Sequence, residues 1–147
     1  MEKQYFEFPE AVEAYMGSVA SFIPEYAPVR IAHAVVTAGG RTLRMSGWPA
    51  ISKNGIIGVG DMGQQMTAAL SHVLLTVEGA GATWDDIIHL TIYFTDREKF
   101  WREGVPARSA FIAKHSKAKQ TPCITSIGSS ALMHPNMLIE VEATAVF

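Results

Sequence analysis

The stretch "NMLIEVEATAVF" at 136–147 alternates between apolar and polar side chains, and this pattern constrains the fold most. Its apolar positions share one side of an extended chain and its polar positions share the other: Ile139, Val141, Ala143 and Ala145 against Glu140, Glu142 and Thr144. Successive side chains of a β-strand point to opposite faces of the sheet, so the segment is predicted to be a strand with one buried face. The rest of the chain must supply a layer that covers this face.

Three segments have the apolar spacing of amphipathic helices: 9–23, 61–78 and about 98–116. The second carries the clearest apolar stripe, and Asp61 at its start is a good N-cap residue. The third contains Gly104 and Pro106, which predict a break in the helix.

Four further segments are predicted to be strands: 30–40, 41–47, 87–95 and 121–128. The first two are separated by Gly39-Gly40, which predicts a hairpin. Asn54-Gly55 marks another turn, and "TWDD" at 83–86 has the pattern of a capping box that begins a single helical turn.

These elements together predict an α+β fold in which one sheet is packed by two helices. The other face of the sheet must also meet something, because a bare apolar sheet face is not tolerated in water. We expect a second copy of the chain to cover this face, because this requires no other partner.

Composition excludes several classes of protein. The net charge is −2 and no basic block is present, which argues against nucleic-acid binding driven by charge. A single cysteine, Cys123, excludes an internal disulfide and fits a reducing compartment. The start "MEKQYFEFPE" does not resemble a signal peptide, and no apolar run is long enough to span a bilayer, so we expect a cytoplasmic protein without membrane contact.

Motifs for metals and nucleotides are missing from the sequence. The five histidines show no paired spacing and no Gly-rich phosphate loop is present, so we expect neither a metal nor a cofactor. Glu140 is a candidate general base if a cleft runs along its face, or a solvent-facing acid if none does. Ser46-Gly47 can admit a ligand to the backbone or form an ordinary strand end, and His33 is a candidate catalyst or a core histidine.

Several ordered segments carry a family resemblance. They are "RMSGWPA" at 44–50, the long stretch "GQQMTAALSHVLLTVEGAGATWDDIIHLTIYFTD" at 63–96 and "LIEVEATAVF" at 138–147. In this order they resemble the RidA/YjgF family, also called L-PSP endoribonuclease-like proteins, over 30–147. Residues 1–29 then form an N-terminal extension, with the predicted helix, packed on this domain.

The resemblance implies a chorismate-mutase-like fold assembled as a barrel-centred homotrimer, with small-molecule clefts between subunits. Active members hydrolyse enamine or imine intermediates such as 2-aminoacrylate without a metal or cofactor. An arginine in a Pro-x-Arg-[Ser/Thr] strand motif holds the substrate carboxylate bidentately. A glutamate of the last strand positions the attacking water.

The residues that form the family's site can be matched to positions of this chain, and one of these positions, that of the arginine, differs. "VPARS" at 105–109 has the letters of the arginine motif but precedes a helical stretch, and "TPCIT" at 121–125 occupies the strand motif. Ile124 therefore stands at the arginine position. The remaining positions carried over are Glu140 as catalytic glutamate, Ser46 and Gly47 as the Ser-Gly pair, Ser126 where several members have cysteine, and His33 near a common tyrosine.

Ile124 cannot bind a carboxylate, and an unpaired anion in an apolar pocket costs several kcal/mol. A cleft lined by Ile124, Trp48, His33 and Glu140 would suit a neutral, aromatic ligand better. A replacement cation would have to come from a neighbouring copy, although surface arginines are usually solvated. The candidates are Arg44, Arg102 and Arg108.

Three functions remain. The first is a deaminase-type hydrolase or tautomerase that acts on an imine- or enamine-like substrate other than 2-aminoacrylate, with Glu140 as base. The second is a non-catalytic trimer that binds a ligand. The third is a ribonuclease, which the mild acidity and the lack of a basic stripe make the weakest.

Overall fold

A computed structural model describes residues 2–6, 34–118 and 120–147. The helix predicted at 9–23 and His33 lie outside these residues. Within the described ranges the chain forms nine strands: β1 (Glu2–Phe6), β2 (Ala34–Ala38), β3 (Thr42–Arg44), β4 (Trp48–Pro49), β5 (Ile51–Ser52), β6 (Gly55–Ile56), β7 (Ile87–Phe94), β8 (Cys123–Gly128) and β9 (Ile139–Val146).

The main sheet has the strand order β3-β9-β7-β8, and β4 also pairs with β9. β7 and β8 are parallel, whereas β9 runs antiparallel to β3, β4 and β7. The alternating strand predicted at the end of the chain is thus a central strand, with partners along both of its edges.

The long helix α1 (Met62–Gly79) confirms the apolar stripe. Its N-cap Asp61 accepts a hydrogen bond from the backbone N–H of Gln64 at 2.8 Å, which satisfies one of the free donors of the first turn. The stripe is completely buried: Met62, Met66, Ala69, Leu70, Val73 and Val77 are 0% exposed.

The second helical region runs without interruption through Arg97–Lys99, a π-helical turn at Phe100–Gly104, and Val105–His115; we call this run α2. The helix therefore continues through the predicted break by way of a π-turn, and Pro106 stands just after this turn. The ring of Phe100 stacks on Phe94 of β7 at 4.2 Å between centroids.

The core lies between the sheet and the two helices, which confirms the α+β arrangement of two helices on a mixed sheet. Strand β9 contributes its apolar positions Ile139 and Val141, both fully buried. At about 25 cal/mol per Å² of apolar surface removed from water, this layer is the main source of stability.

The opposite face of the sheet is not the bare apolar surface that we expected a second copy to cover. Its central positions are half-buried polar side chains: Thr91 and Tyr93 of β7 and Glu140, Glu142 and Thr144 of β9. The prediction of an apolar face was wrong because the apolar side chains of β7 and β9 are buried beneath the helices, whereas the cover of this face by a second copy stays a prediction.

The Gly39-Gly40 turn does not close a hairpin ladder. Both glycines have positive φ, 73° and 89°, as the turn requires. However, β2 pairs with β1, and the backbone of Arg41 exchanges two hydrogen bonds with Phe147 at 2.7 and 3.0 Å. The backbone of Arg41, just after the turn, is thus hydrogen-bonded to Phe147 and not to β2.

Strand β1 lies within the range 1–29 that we assigned to an extension. It is antiparallel to β2, and Nζ of Lys3 donates to Asp86 Oδ1 at 2.8 Å and to the carbonyl of Asp85 at 2.9 Å. The beginning of the chain is therefore attached to the turn that precedes β7.

Candidate functional site

Glu140 occupies the middle of the polar face. In β9 it lies opposite Pro49 of β4 on one side and Tyr93 of β7 on the other. Its side chain is half-buried, and none of the residues that the structure describes forms a hydrogen bond with its carboxylate. Both carboxylate oxygens can therefore accept a proton or hold a water molecule.

Gly47 is in direct contact with this carboxylate. A Cβ atom built on Gly47 would overlap the Oε1 of Glu140 and would stand 2.7 Å from its Cδ. From the sequence, Gly47 was expected either to admit a ligand to the backbone or to end a strand; in the structure the space beside its α-carbon is occupied by the carboxylate of Glu140. The structure thus brings Gly47 together with Glu140, and Ser46, which precedes Gly47 in the chain, is exposed.

A second acid on this face is already engaged. The hydroxyl of Tyr93 donates to Oε2 of Glu142 at 3.3 Å. Burial raises the pKa of the Tyr93 hydroxyl above its ordinary value, and the negative charges of Glu142 and Glu140 raise it further. Tyr93 therefore keeps its proton over the physiological range and acts as a hydrogen-bond donor.

Ile124 lies on the opposite face of the same sheet. It pairs in register with Leu90, which is fully buried, and it packs against the core. Ser126 pairs with Ile92 and belongs to the same face, near the exposed end of the edge strand β8. One protomer therefore does not bring Ile124 or Ser126 together with Glu140.

Trp48 also belongs to the helix side of the sheet. It pairs with Val141, packs against the core, and tilts against the ring of His72 of α1 at 5.5 Å between centroids. The side chains of Trp48 and Glu140 thus lie on opposite faces of the sheet, although their backbones are close.

The three arginines proposed as replacement cations differ in position. Arg44 is exposed and lies opposite Thr144, four residues along β9 from Glu140 and on the same face, which is about 14 Å along a strand. Arg102 is exposed on α2 and donates to Glu103 at 3.3 Å. Arg108, which we treated as a surface residue, is only 3% exposed.

Metal-binding side chains do not converge in the described ranges: no three His, Cys, Asp or Glu residues there could hold an ion together. Burial raises the pKa of the Cys123 thiol, which disfavours the reactive thiolate. No helix of the described residues is long and apolar enough to cross a bilayer.

Two residues near the site were missed at the level of the sequence. Gln65 is fully buried in α1 and bonds to the chain just before β9, and His72 of the same helix bonds to Pro49. The only signal for them is a polar residue on or beside an otherwise apolar helix stripe.

Comparisons with known proteins agree with this architecture. The family model for endoribonuclease L-PSP matches residues 22–147. Among solved structures, the chain is similar to YyfB of Yersinia pestis, a protein of unknown function of the conserved Rid family, with 25% identity, a TM-score of 0.73 and complete coverage of both chains.

Two further solved structures come from E. coli. The YjgF gene product has 24% identity and a TM-score of 0.64, and the match covers 76% of this chain and 84% of that one. TdcF, solved with bound serine, has 24% identity and a TM-score of 0.65 over the same shares of the two chains. A comparison with curated proteins found no match. Since the family model spans most of the chain and these structures share its fold, the protein belongs to the endoribonuclease L-PSP family, that is, to the RidA/YjgF proteins.

Proposed function

We propose that this protein is a divergent RidA-like enzyme that hydrolyses or tautomerises an imine- or enamine-like small molecule other than 2-aminoacrylate. Its site is a cleft between copies of a homotrimer, and Glu140 is the catalytic base or positions the attacking water. The observation that carries the proposal is the Glu140 carboxylate, half-buried against Gly47 and without a hydrogen-bond donor among the described residues. A carboxylate held this way is available to take a proton from a water molecule.

The need for more than one copy follows from the sheet. Glu140 and Ile124 lie on opposite faces, so a cleft that contains both must take the acid from one protomer and the isoleucine from another. The position of Ile124 supports this, because β8 is the edge strand of the sheet formed by the described residues. An edge of this kind is suited to contact with a neighbouring copy.

The substrate class follows from the side chain at position 124. The related TdcF was solved with bound serine, an amino acid with a carboxylate. In this chain the family's arginine is replaced by Ile124, which offers no partner to an anion. A carboxylate left unpaired there would cost several kcal/mol, so we propose a substrate that presents an apolar group at this end.

The test is an assay of keto-acid release from freshly generated 2-aminoacrylate beside hydrolysis of an uncharged aromatic imine. We expect turnover of the imine and a 2-aminoacrylate rate far below that of an arginine-bearing relative. Glu140→Gln should reduce imine turnover by about a hundredfold or more, whereas the matched variant Glu142→Gln should retain it. Equal losses in the two variants, or efficient use of 2-aminoacrylate, would contradict the proposal.

Two measurements separate this function from its competitors. Light scattering should give the mass of three copies, and an active monomer would rule out the inter-subunit cleft. If the wild-type protein turns over no imine but binds an uncharged ligand equally well with and without Glu140→Gln, the protein is a binding trimer instead. Tight, salt-sensitive binding of RNA would favour the ribonuclease.

A further inference from the structure

Gln65 is a buried amide that joins α1 to two loops. It is 0% exposed, and its Nε2 donates to the carbonyls of Gly58 at 3.1 Å and Asn136 at 2.8 Å. Its Oε1 accepts the backbone N–H of Leu138 at 2.8 Å. Leu138 stands two residues before Glu140, so this side chain fixes the start of the strand that carries the acid.

His72 performs a similar task on the other side of Glu140. Its Nδ1 lies 3.1 Å from the carbonyl oxygen of Pro49, and because a carbonyl only accepts, the ring nitrogen is the donor. Pro49 is the cross-strand neighbour of Glu140, and the segment that begins with Gly47 passes under its carboxylate. The ring of His72 also contacts Trp48, which further limits the movement of β4.

The two side chains are spaced to act together. Seven residues span nearly two turns of an α-helix, so Gln65 and His72 point from the same side of α1 about 10 Å apart along its axis. Gln65 is fully buried and His72 is half-buried, and both bond to backbone groups outside the helix. A buried polar group destabilises a core unless it is paired, so a position used only for packing would carry an apolar side chain in place of Gln65.

We propose that Gln65 and His72 are positioning residues that hold the two chain segments flanking Glu140, and thereby set the contact between its carboxylate and Gly47. Neither residue touches the reacting atoms. Only the catalytic test of this inference rests on the proposed function, since the contact between Glu140 and Gly47 can also be measured without a substrate.

The first test follows the contact by NMR in the intact protein. We expect an NOE between the γ-protons of Glu140 and the α-protons of Gly47, because the Cγ of Glu140 lies 2.9 Å from the position of a Cβ on Gly47. His72→Phe removes the donor and should weaken this NOE. His72→Asn places an amide N–H where Nδ1 was and should restore it, and Ser71→Ala, whose hydroxyl bonds only within the helix, should leave it unchanged.

The second test follows catalysis with the uncharged imine of the previous section. Misplacement of the acid should lower kcat by about tenfold in His72→Phe with little change in KM, and His72→Asn should recover most of the loss. In Gln65→Met the amide of Leu138 loses its acceptor, so its hydrogen exchange should accelerate and kcat should fall in the same way.

The outcomes are distinct. An undiminished NOE in His72→Phe, or an equal loss in His72→Asn and His72→Phe, would overturn the positioning role. If His72→Phe does not fold, His72→Gln, which moves the amide one bond further from the backbone, takes its place in the same comparison. A wild-type protein that turns over no imine would overturn the proposed function, while the NOE would still decide the role of the two residues.

Discussion

The carboxylate of Glu140 lies over the α-carbon of Gly47 so closely that position 47 has no room for any side chain. The φ angle of Gly47 is not in the left-handed region, so the requirement concerns space and not backbone conformation. Glycine and acid therefore form one structural unit, although 92 residues lie between them in the chain and Gly47 stands just before β4 whereas Glu140 lies in β9.

Gly47→Ala should displace the Glu140 side chain and destabilise the protein by about 1–3 kcal/mol, because the added methyl group overlaps the carboxylate. Urea unfolding measures the effect. The loss should nearly vanish when the same substitution is made together with Glu140→Ala, which removes the overlapping atoms. Gly79→Ala is the control, since a Cβ there meets nothing within 4 Å. A full loss in the double variant would mean that the overlap with Glu140 is not the cause.

Gln65→Met should reduce the free energy of unfolding by about 2–4 kcal/mol. The variant keeps the volume of the side chain but leaves the N–H of Leu138 and two carbonyl groups without their partner. Thr67→Ala, two residues further along α1, should change stability by less than about 0.5 kcal/mol, because Thr67 is exposed and bonds only to its own helix. Similar losses of unfolding free energy in both variants would show that the hydrogen bonds of the buried Gln65 amide contribute no more to stability than the local hydrogen bond of Thr67.

The sequence predicts those elements of the fold whose apolar pattern is satisfied by packing against one neighbouring layer. The alternation of 136–147 and the apolar stripe of α1 both survive unchanged, since burial under the helices satisfies each pattern directly. The hairpin at Gly39-Gly40 fails for the opposite reason. The turn at these two glycines forms as predicted. However, the backbone of Arg41 is hydrogen-bonded to Phe147, which is more than 100 residues away in the chain, and a local pattern contains no information about so distant a partner.

For the candidate site, the sequence indicates residue types but not their arrangement. Glu140 and Gly47 are found by pattern and lie in contact. The role of Ile124 in the site stays a prediction, and the face that it occupies depends on the register of β8 against β7, which no local pattern determines. Gln65 and His72 are missed because a polar residue on a helix stripe is informative only once its backbone partners in other elements are known.

Tyr93 should make stability depend on pH in the alkaline range. Its pKa is raised in the folded protein, so its contribution is fully present below the ordinary tyrosine value of about 10 and is lost as the pH rises through the higher folded value. The wild-type protein should therefore lose stability more steeply than Tyr93→Phe as the pH rises above about 10. Urea unfolding across this range measures the difference.

A second variant identifies the source of this effect. Glu142→Gln removes a charge that helps to raise the pKa of Tyr93, so its stability curve should fall between those of the wild-type protein and Tyr93→Phe. Parallel curves for the wild-type protein and Tyr93→Phe would mean that the hydroxyl titrates alike in the folded and unfolded chains.

If Ile124 lines the proposed cleft, Ile124→Arg should introduce a partner for an anionic ligand there. Ile124 is half-buried on an edge strand, so an arginine there can pack its methylene groups against the core and extend its guanidinium beyond the sheet edge. A bidentate hydrogen-bonded pair with a carboxylate contributes about 1.5–3 kcal/mol, which corresponds to an affinity gain of about ten- to a hundredfold. Calorimetric titration with serine at low and high salt measures this gain, and the gain should shrink at high salt. Ile124→Met, similar in length but neutral, should bind serine no better than the wild-type protein. If the arginine variant also gains nothing, Ile124 does not line the ligand site, and the substrate class inferred from it fails.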